Sequence, residues 1–227
     1  MLSSPYDYKE LSKNTDKSTG VRHYNAPDEE KLPSVTTILS KTADPEDSNA
    51  LQAWIDWVGV EKANKIRDEA GARGSLMHQR LEWYVKGIEK RVGGNLIHQQ
   101  ANNMANVIIE HGLKNMTEYW GSEISLWYPG LYAGTTDLVG VWKGKPAIID
   151  FKQANKAKTP EVVLGYKTQL TAYAMAHNEV YGTDIETGVI LISTKDLQYQ
   201  EFVVEGDEFQ TFTNKWLDRV ESYYKSN

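Results

Sequence analysis

The stretch from 134 to 152 constrains this chain more than any other. Two apolar runs flank Lys143, Gly144 and Lys145, and a glycine-containing turn between such runs folds them back as a β-hairpin. Asp137 opens the first run; Asp150 and Lys152 close the second. Residues two apart on a strand point to one face, so Asp150 and Lys152 share a side. Closing the hairpin brings Asp137 beside Asp150. Two adjacent carboxylates repel, and one pKa rises unless a cation lies between them. Mg²⁺ suits such a pair, because it takes one or two carboxylates and completes its shell with water and phosphate oxygens. The Lys152 ammonium beside them could orient a water or hold phosphate charge. The competing reading is a surface hairpin with solvated acids. Against it, Asp150 ends an apolar run over 146–149 that reads as buried, and a buried acid needs a partner.

The remaining pattern surrounds that hairpin with helices and further strands. Residues 1–31 are polar and without lasting periodicity, and read as a flexible arm with at most a short strand at 21–24. Pro33 and Ser34 suit a helix start. A helix follows over 51–70, with Leu51, Trp54, Val58 and Ala63 inward. Gly71 and Gly74 interrupt it, and a new helix runs over 75–88 with Met77, Leu81, Val85 and Ile88 on its apolar face. Another spans 96–111 and stops at Gly112 as a C′ glycine. Strands are expected at 118–128, 132–142 and 147–151. A helix over 160–181 follows, with Leu164, Leu170, Tyr173 and Ala174 inward, then a covered strand at 189–192, an edge strand at 199–204 and a helix over 207–224. This order predicts an α/β fold with a mixed central sheet flanked by helices on both faces. One domain over 32–227 is expected, with a helical part at 32–115 and a sheet core at 116–227.

Several side chains could serve the hairpin carboxylates. Gln169 and Tyr173, four apart on the helix after Lys152, share a face and could steady the lysine or touch a phosphate; an ordinary polar helix edge explains them equally. His78 is either a metal ligand through an imidazole nitrogen or a satisfied core histidine. Glu123 is either a further carboxylate near the metal or an exposed strand residue. Basic side chains cluster at Lys152, Lys156, Lys158 and Lys167, and again at Arg73, Arg80, Lys86, Lys90 and Arg91. Seven Trp and thirteen Tyr offer stacking surfaces for unpaired bases.

Composition narrows the chemistry. With 25 basic and 31 acidic side chains the net charge is −6, so contact with nucleic acid has to come from a local patch. The absence of cysteine excludes disulfides, thiolate zinc sites and cysteine-ligated iron–sulfur clusters. No apolar run approaches the ~20 residues of a membrane span. No phosphate-binding loop of the ATPase type occurs, so no ATP use is expected. The first residues show neither a signal peptide's apolar centre nor a mitochondrial presequence, and a cytoplasmic location in a bacterium or phage-infected cell is the expectation.

Asp137, followed after twelve residues by Asp150, Phe151 and Lys152, resembles the signature of the PD-(D/E)XK nuclease superfamily. Gln169 with Tyr173 makes it similar to the RecB-type exonuclease branch, and the segment from Arg73 through Ser75 to His78 resembles that branch's upstream histidine motif. Together with the segment 32–36, these pieces are similar to the branch's mitochondrial and bacteriophage members over about residues 32–204. The resemblance implies a restriction-endonuclease-like αβββαβ core and a Mg²⁺- or Mn²⁺-dependent deoxyribonuclease. It implies an exonuclease on single-stranded DNA or single-stranded ends, acting in replication, recombination, repair or phage DNA processing. A structure-specific endonuclease and a non-catalytic nucleic-acid-binding module are the alternatives. By the same resemblance His78, Asp137 and Asp150 hold the metal; Glu123, from its strand position, is a candidate additional ligand. Lys152 activates or orients water, and Gln169 and Tyr173 position it. Ser34, Arg73, Ser75, Lys156 and Lys158 would lie near DNA.

Overall fold

The computed structural model describes residues 2–27, 29–91 and 93–226. Three short strands come first: β1 (Ser12–Thr15), β2 (Arg22–Ala26) and β3 (Glu29–Pro33), an antiparallel sheet in that order. Four helices follow: α1 (Val35–Lys41), α2 (Pro45–Val58), α3 (Val60–Lys86) and α4 (Leu96–His111). The second sheet holds β4 (Met116–Tyr128), β5 (Tyr132–Trp142), β6 (Lys145–Ala154), β7 (Thr187–Thr194) and β8 (Tyr199–Glu205) in that order. Helix α5 (Leu164–Tyr181) crosses from β6 to β7, and α6 (Gly206–Ser226) ends the described chain. Within the five-stranded sheet, among the described residues, β6 and β7 are the one parallel pair. A parallel pair needs a long crossover, which α5 supplies. The fold is α/β with a mixed five-stranded sheet and six helices, as the sequence pattern predicted.

Alternation along the strands sorts two cores onto the two faces. Ile148, Ile190 and Ile192 meet Val35, Leu170 and Trp216 on the side of α1, α5 and α6. Ile149, Phe151, Val189 and Leu191 meet Met77, Leu81, Met104 and Ile108 on the side of α3 and α4. The hairpin turns on Lys143 and Gly144, both at positive φ (48° and 80°), as a two-residue turn of this hand requires. It pairs Trp142 with Lys145 and Leu138 with Ile149. There the ladder ends and the strands part: β5 continues beside β4, and β6 beside β7.

The parting of β5 and β6 explains the first correction. Residues 12–31, within the expected arm, supply most of the small sheet, and Ser34 bridges Ala133 on the β5 edge that β6 has left. A freed strand edge carries unpaired backbone groups that favour such a cover. Tyr24 is buried against it, and its hydroxyl lies 3.1 Å from Thr135 Oγ1.

Gly71 and Gly74 do not interrupt: α3 runs through both. A Cβ on Gly74 would lie 3.3 Å from the Gln153 side chain, so a small residue lets the helix approach β6. Leu51, Trp54 and Leu164, expected inward, are exposed: α2 packs at the margin, and at the start of α5 the neighbouring Val163 takes the buried position. Ile88 is exposed as well, since Gly87 caps α3 one residue earlier in the left-handed conformation. Gly112 does end α4, but at φ −94°. Space decides there: a Cβ would meet Leu191 at 2.7 Å.

Candidate active site

Where the strands part, the Asp137 carboxylate takes over the ladder's role, with its Oδ2 accepting the Phe151 N–H at 2.7 Å. His78 arrives from α3 on the opposite face, its ring edge-on to Phe151, with Nδ1 3.3 Å from Asp137 Oδ1. Glu123 comes from β4, between Ser122 and Ile124, which pair with Leu138 and Thr136, so it sits opposite Asp137. Its Oε1 is 3.9 Å from His78 Nδ1, and its φ of 54° is rare for a non-glycine residue in a strand. Such strain gathers at working sites, where surrounding structure holds it in place. His78, Glu123 and Asp137 bring ligand atoms within 4.8 Å of one another.

Asp150 is buried on β6, and Lys152 Nζ donates to its Oδ1 at 2.7 Å. The ammonium also lies 2.5 Å from Oδ2, so Lys152 neutralises both oxygens of the buried carboxylate. An imidazole and two carboxylates whose ligand atoms lie this close, beside the buried Asp150, fit a divalent cation. Oxygen donors suit Mg²⁺ and Mn²⁺, and the imidazole favours the transition ion.

The electrostatics divide the two aspartates. Burial would raise Asp137, but the His78 ring and Lys152 hold it below the ordinary carboxylate range. Burial dominates at Asp150; despite Lys152, it and the Asp137 charge push the pKa up to about 6. Burial opposes the charge on His78, yet Asp137 and Glu123 raise it to about 10. Lys152 follows the same logic, with Asp150 and Asp137 outweighing burial and raising it.

Gln169 Nε2 donates to the Tyr173 hydroxyl at 3.2 Å. Tyr173 is buried against Gly134, where a Cβ would stand 2.6 Å from the ring, so the glycine makes room for the tyrosine. Tyr166, one turn earlier on the same helix face, sets its ring 4.9 Å from Lys152 Nζ. Its i, i+3, i+7 spacing with Gln169 and Tyr173 is the signal that could have found it.

Ser34, Arg73 and Ser75, expected near DNA, have partners within the chain. Ser34 is buried and caps α1, its Oγ accepting the Thr37 N–H at 2.9 Å. Arg73 is buried, donating to Gln153 Oε1 at 3.0 and 2.8 Å and to Asn155 Oδ1 at 2.5 Å. It ties α3 to the end of β6, and neither amide partner carried a sequence signal. Lys167, grouped by sequence with the phosphate-facing lysines, is buried and paired with Glu208 at 2.6 Å. Ser75 is exposed and donates to Gly71 O; Lys156 is exposed and Lys158 half-buried.

Strands parting over two aspartates and a lysine, on a mixed sheet between helical layers, resemble the arrangement of PD-(D/E)XK-type nucleases. The chain is 29% identical over 203 residues to mitochondrial genome maintenance exonuclease 1 of Mus musculus, covering 85% of this chain and 59% of that protein. With the Homo sapiens protein of the same name it shares 26% over 204 residues, covering 85% and 58%. It therefore spans about three-fifths of the length of the curated relatives it matches. A crystal structure of a candidate exonuclease from Eubacterium rectale shares the fold, with a TM-score of 0.50 and 14% identity over 68% of this chain and 65% of that one. No family model matches the chain. Among the described residues no helix is long and apolar enough to cross a membrane.

Proposed function

We propose that this chain is a divalent-metal-dependent deoxyribonuclease that shortens DNA from single-stranded ends. The observation that carries the reading is the convergence of His78, Glu123 and Asp137, three donors within 4.8 Å, beside the paired Asp150 and Lys152. The exonuclease names of the relatives support it.

His78, Glu123 and Asp137 would hold the ion, with Asp150, which Lys152 contacts at both oxygens, as a fourth donor. When bound, a divalent ion supplies Lewis-acid polarisation of the phosphate oxygens. Lys152 stands ready to donate N–H bonds to a non-bridging phosphate oxygen, where negative charge grows as water attacks phosphorus. The Tyr166 ring and Asp150 fix its ammonium from two sides. The bond from Gln169 to Tyr173 orients the Gln169 amide on the helix face it shares with Tyr166. Tyr173 is buried beside it.

The test is digestion of end-labelled linear and circular single-stranded DNA in Mg²⁺, in Mn²⁺ and in chelator. Loss of linear but not circular DNA, only with metal, is the expected result. Cutting of circles would make the chain an endonuclease, and no cleavage in either metal would leave a binding module. Lys152→Ala should lower the rate at least ~100-fold while DNA binding persists.

A further inference from the structure

On the side of α3 away from the metal donors, α3, α4 and the loop between them enclose a crevice of about 270 Å³. Leu76, Arg80 and Trp83 line it at i, i+4 and i+7 along α3, a stripe that lies roughly 150° around the helix from His78. Arg91 from the loop, with His98 and Asn102 from α4, completes the wall.

The lining is chemically one-sided. Two guanidiniums and an imidazole contribute and no carboxylate does, on a chain whose net charge is −6. Such local focusing selects an anion. The Arg80 guanidinium is already oriented, because its Nε donates to Asn102 Oδ1 at 3.1 Å. That bond leaves its two Nη groups for the forked contact that phosphate accepts. The Trp83 indole supplies a flat electron-rich surface, and the Lys90 ammonium rests over it at 4.9 Å. An exposed lysine can yield that face to a planar ring and move its charge to a phosphate. Close packing holds the loop: a Cβ on Gly93 would stand 2.7 Å from the His98 ring. The His98 ring is in turn pinned through Nδ1 to Asn95 Oδ1 at 2.5 Å.

We propose that this crevice is a nucleotide-binding site, taking a planar base against Trp83 and a phosphate between Arg80 and Arg91. Two sources share that chemistry, a nucleotide within a DNA strand and a free mononucleotide. The proposal rests on the crevice alone and goes beyond the nuclease reading.

The test is equilibrium titration of the full chain in chelator, where no cleavage occurs. The probes are dAMP, inorganic phosphate and a DNA single strand, read by indole fluorescence and calorimetry. The dAMP should bind at or below ~1 mM, and phosphate alone at least ~10-fold more weakly. Trp83→Leu and the exposed Arg91→Glu should each weaken dAMP at least ~5-fold, with circular dichroism unchanged for Arg91→Glu. A strand that displaces dAMP and weakens in parallel identifies DNA as the source; a strand that does not displace it identifies the free nucleotide. Phosphate binding as tightly as dAMP, no dAMP binding up to ~10 mM, or binding that neither variant alters would overturn the proposal. Because the readout needs no cleavage, failure here and failure of the nuclease assay are separate results.

Discussion

Acid should loosen this fold through one buried histidine that is not among the candidate metal donors. His177 on α5 is fully buried among the rings of Tyr6, Tyr8, Trp120 and Tyr181. Its neighbours fix its proton: Thr183 Oγ1 spends its own hydrogen on Asn178 Oδ1 at 2.7 Å, so His177 Nδ1 must donate to Thr183 at 2.8 Å. Nε2 is left to accept the Tyr8 hydroxyl at 2.9 Å. Burial disfavours the imidazolium and lowers the pKa from 6.5 to about 4. The folded value lies below the unfolded one, so the contribution is full above about pH 6.5 and is lost as pH falls toward 4. A gap of about 2.5 pH units corresponds to about 3 kcal/mol. His177→Gln keeps an acceptor and a donor on that side chain but cannot titrate. Urea unfolding near pH 7.5 and pH 4.5 should show the wild type losing ~2–3 kcal/mol more than the variant, whatever the variant's stability at neutral pH. Carboxylates that titrate over the same range are common to both proteins and cancel. Equal pH slopes would refute the argument, because they would mean that the folded protein protonates His177 at no cost.

Other substitutions probe the cleft and its frame. Gly134→Ala should drive a methyl into Tyr173, cost about 1–3 kcal/mol and slow cleavage ~10-fold or more, read by urea unfolding and by rate. Gly140→Ala places its Cβ 2.1 Å from the Glu118 carbonyl oxygen, which the bulged strand cannot move. It should lower the melting temperature by about 5–10 °C without touching the donors. Mn²⁺ at ~100 times its dissociation constant should stabilise the chain by about 2.7 kcal/mol, a shift that Asp137→Asn abolishes in a thermal melt.

The hairpin was legible because its information is local. A lysine and a glycine accept positive φ at the turn, and strand periodicity then places Asp137, Asp150 and Lys152 without reference to the rest of the chain. The helix face shared by Gln169 and Tyr173 was legible for the same reason, and Tyr166 belongs to that pattern. The parting of β5 from β6 was not legible, since it depends on which strands each prefers as neighbours. With it went the small sheet that covers the freed edge at Ala133. Arg73 and Lys167 misled for a related reason. A basic residue suggests phosphate until its partner is known, and Gln153, Asn155 and Glu208 lie 80, 82 and 41 residues away. Glycine in α3 was read as a helix breaker, whereas at Gly74 closeness to Gln153 is what the position requires.

The candidate metal donors come from both sides of one layer boundary: His78 from a helix, Glu123 and Asp137 from the sheet it covers. Neither part has a full set. A polypeptide emerging from the ribosome, or one whose helical layer has peeled away in stress, therefore carries only fragments of the centre. An ion that engaged all three donors would fasten the helical layer to the sheet, and its loss would loosen that seam first.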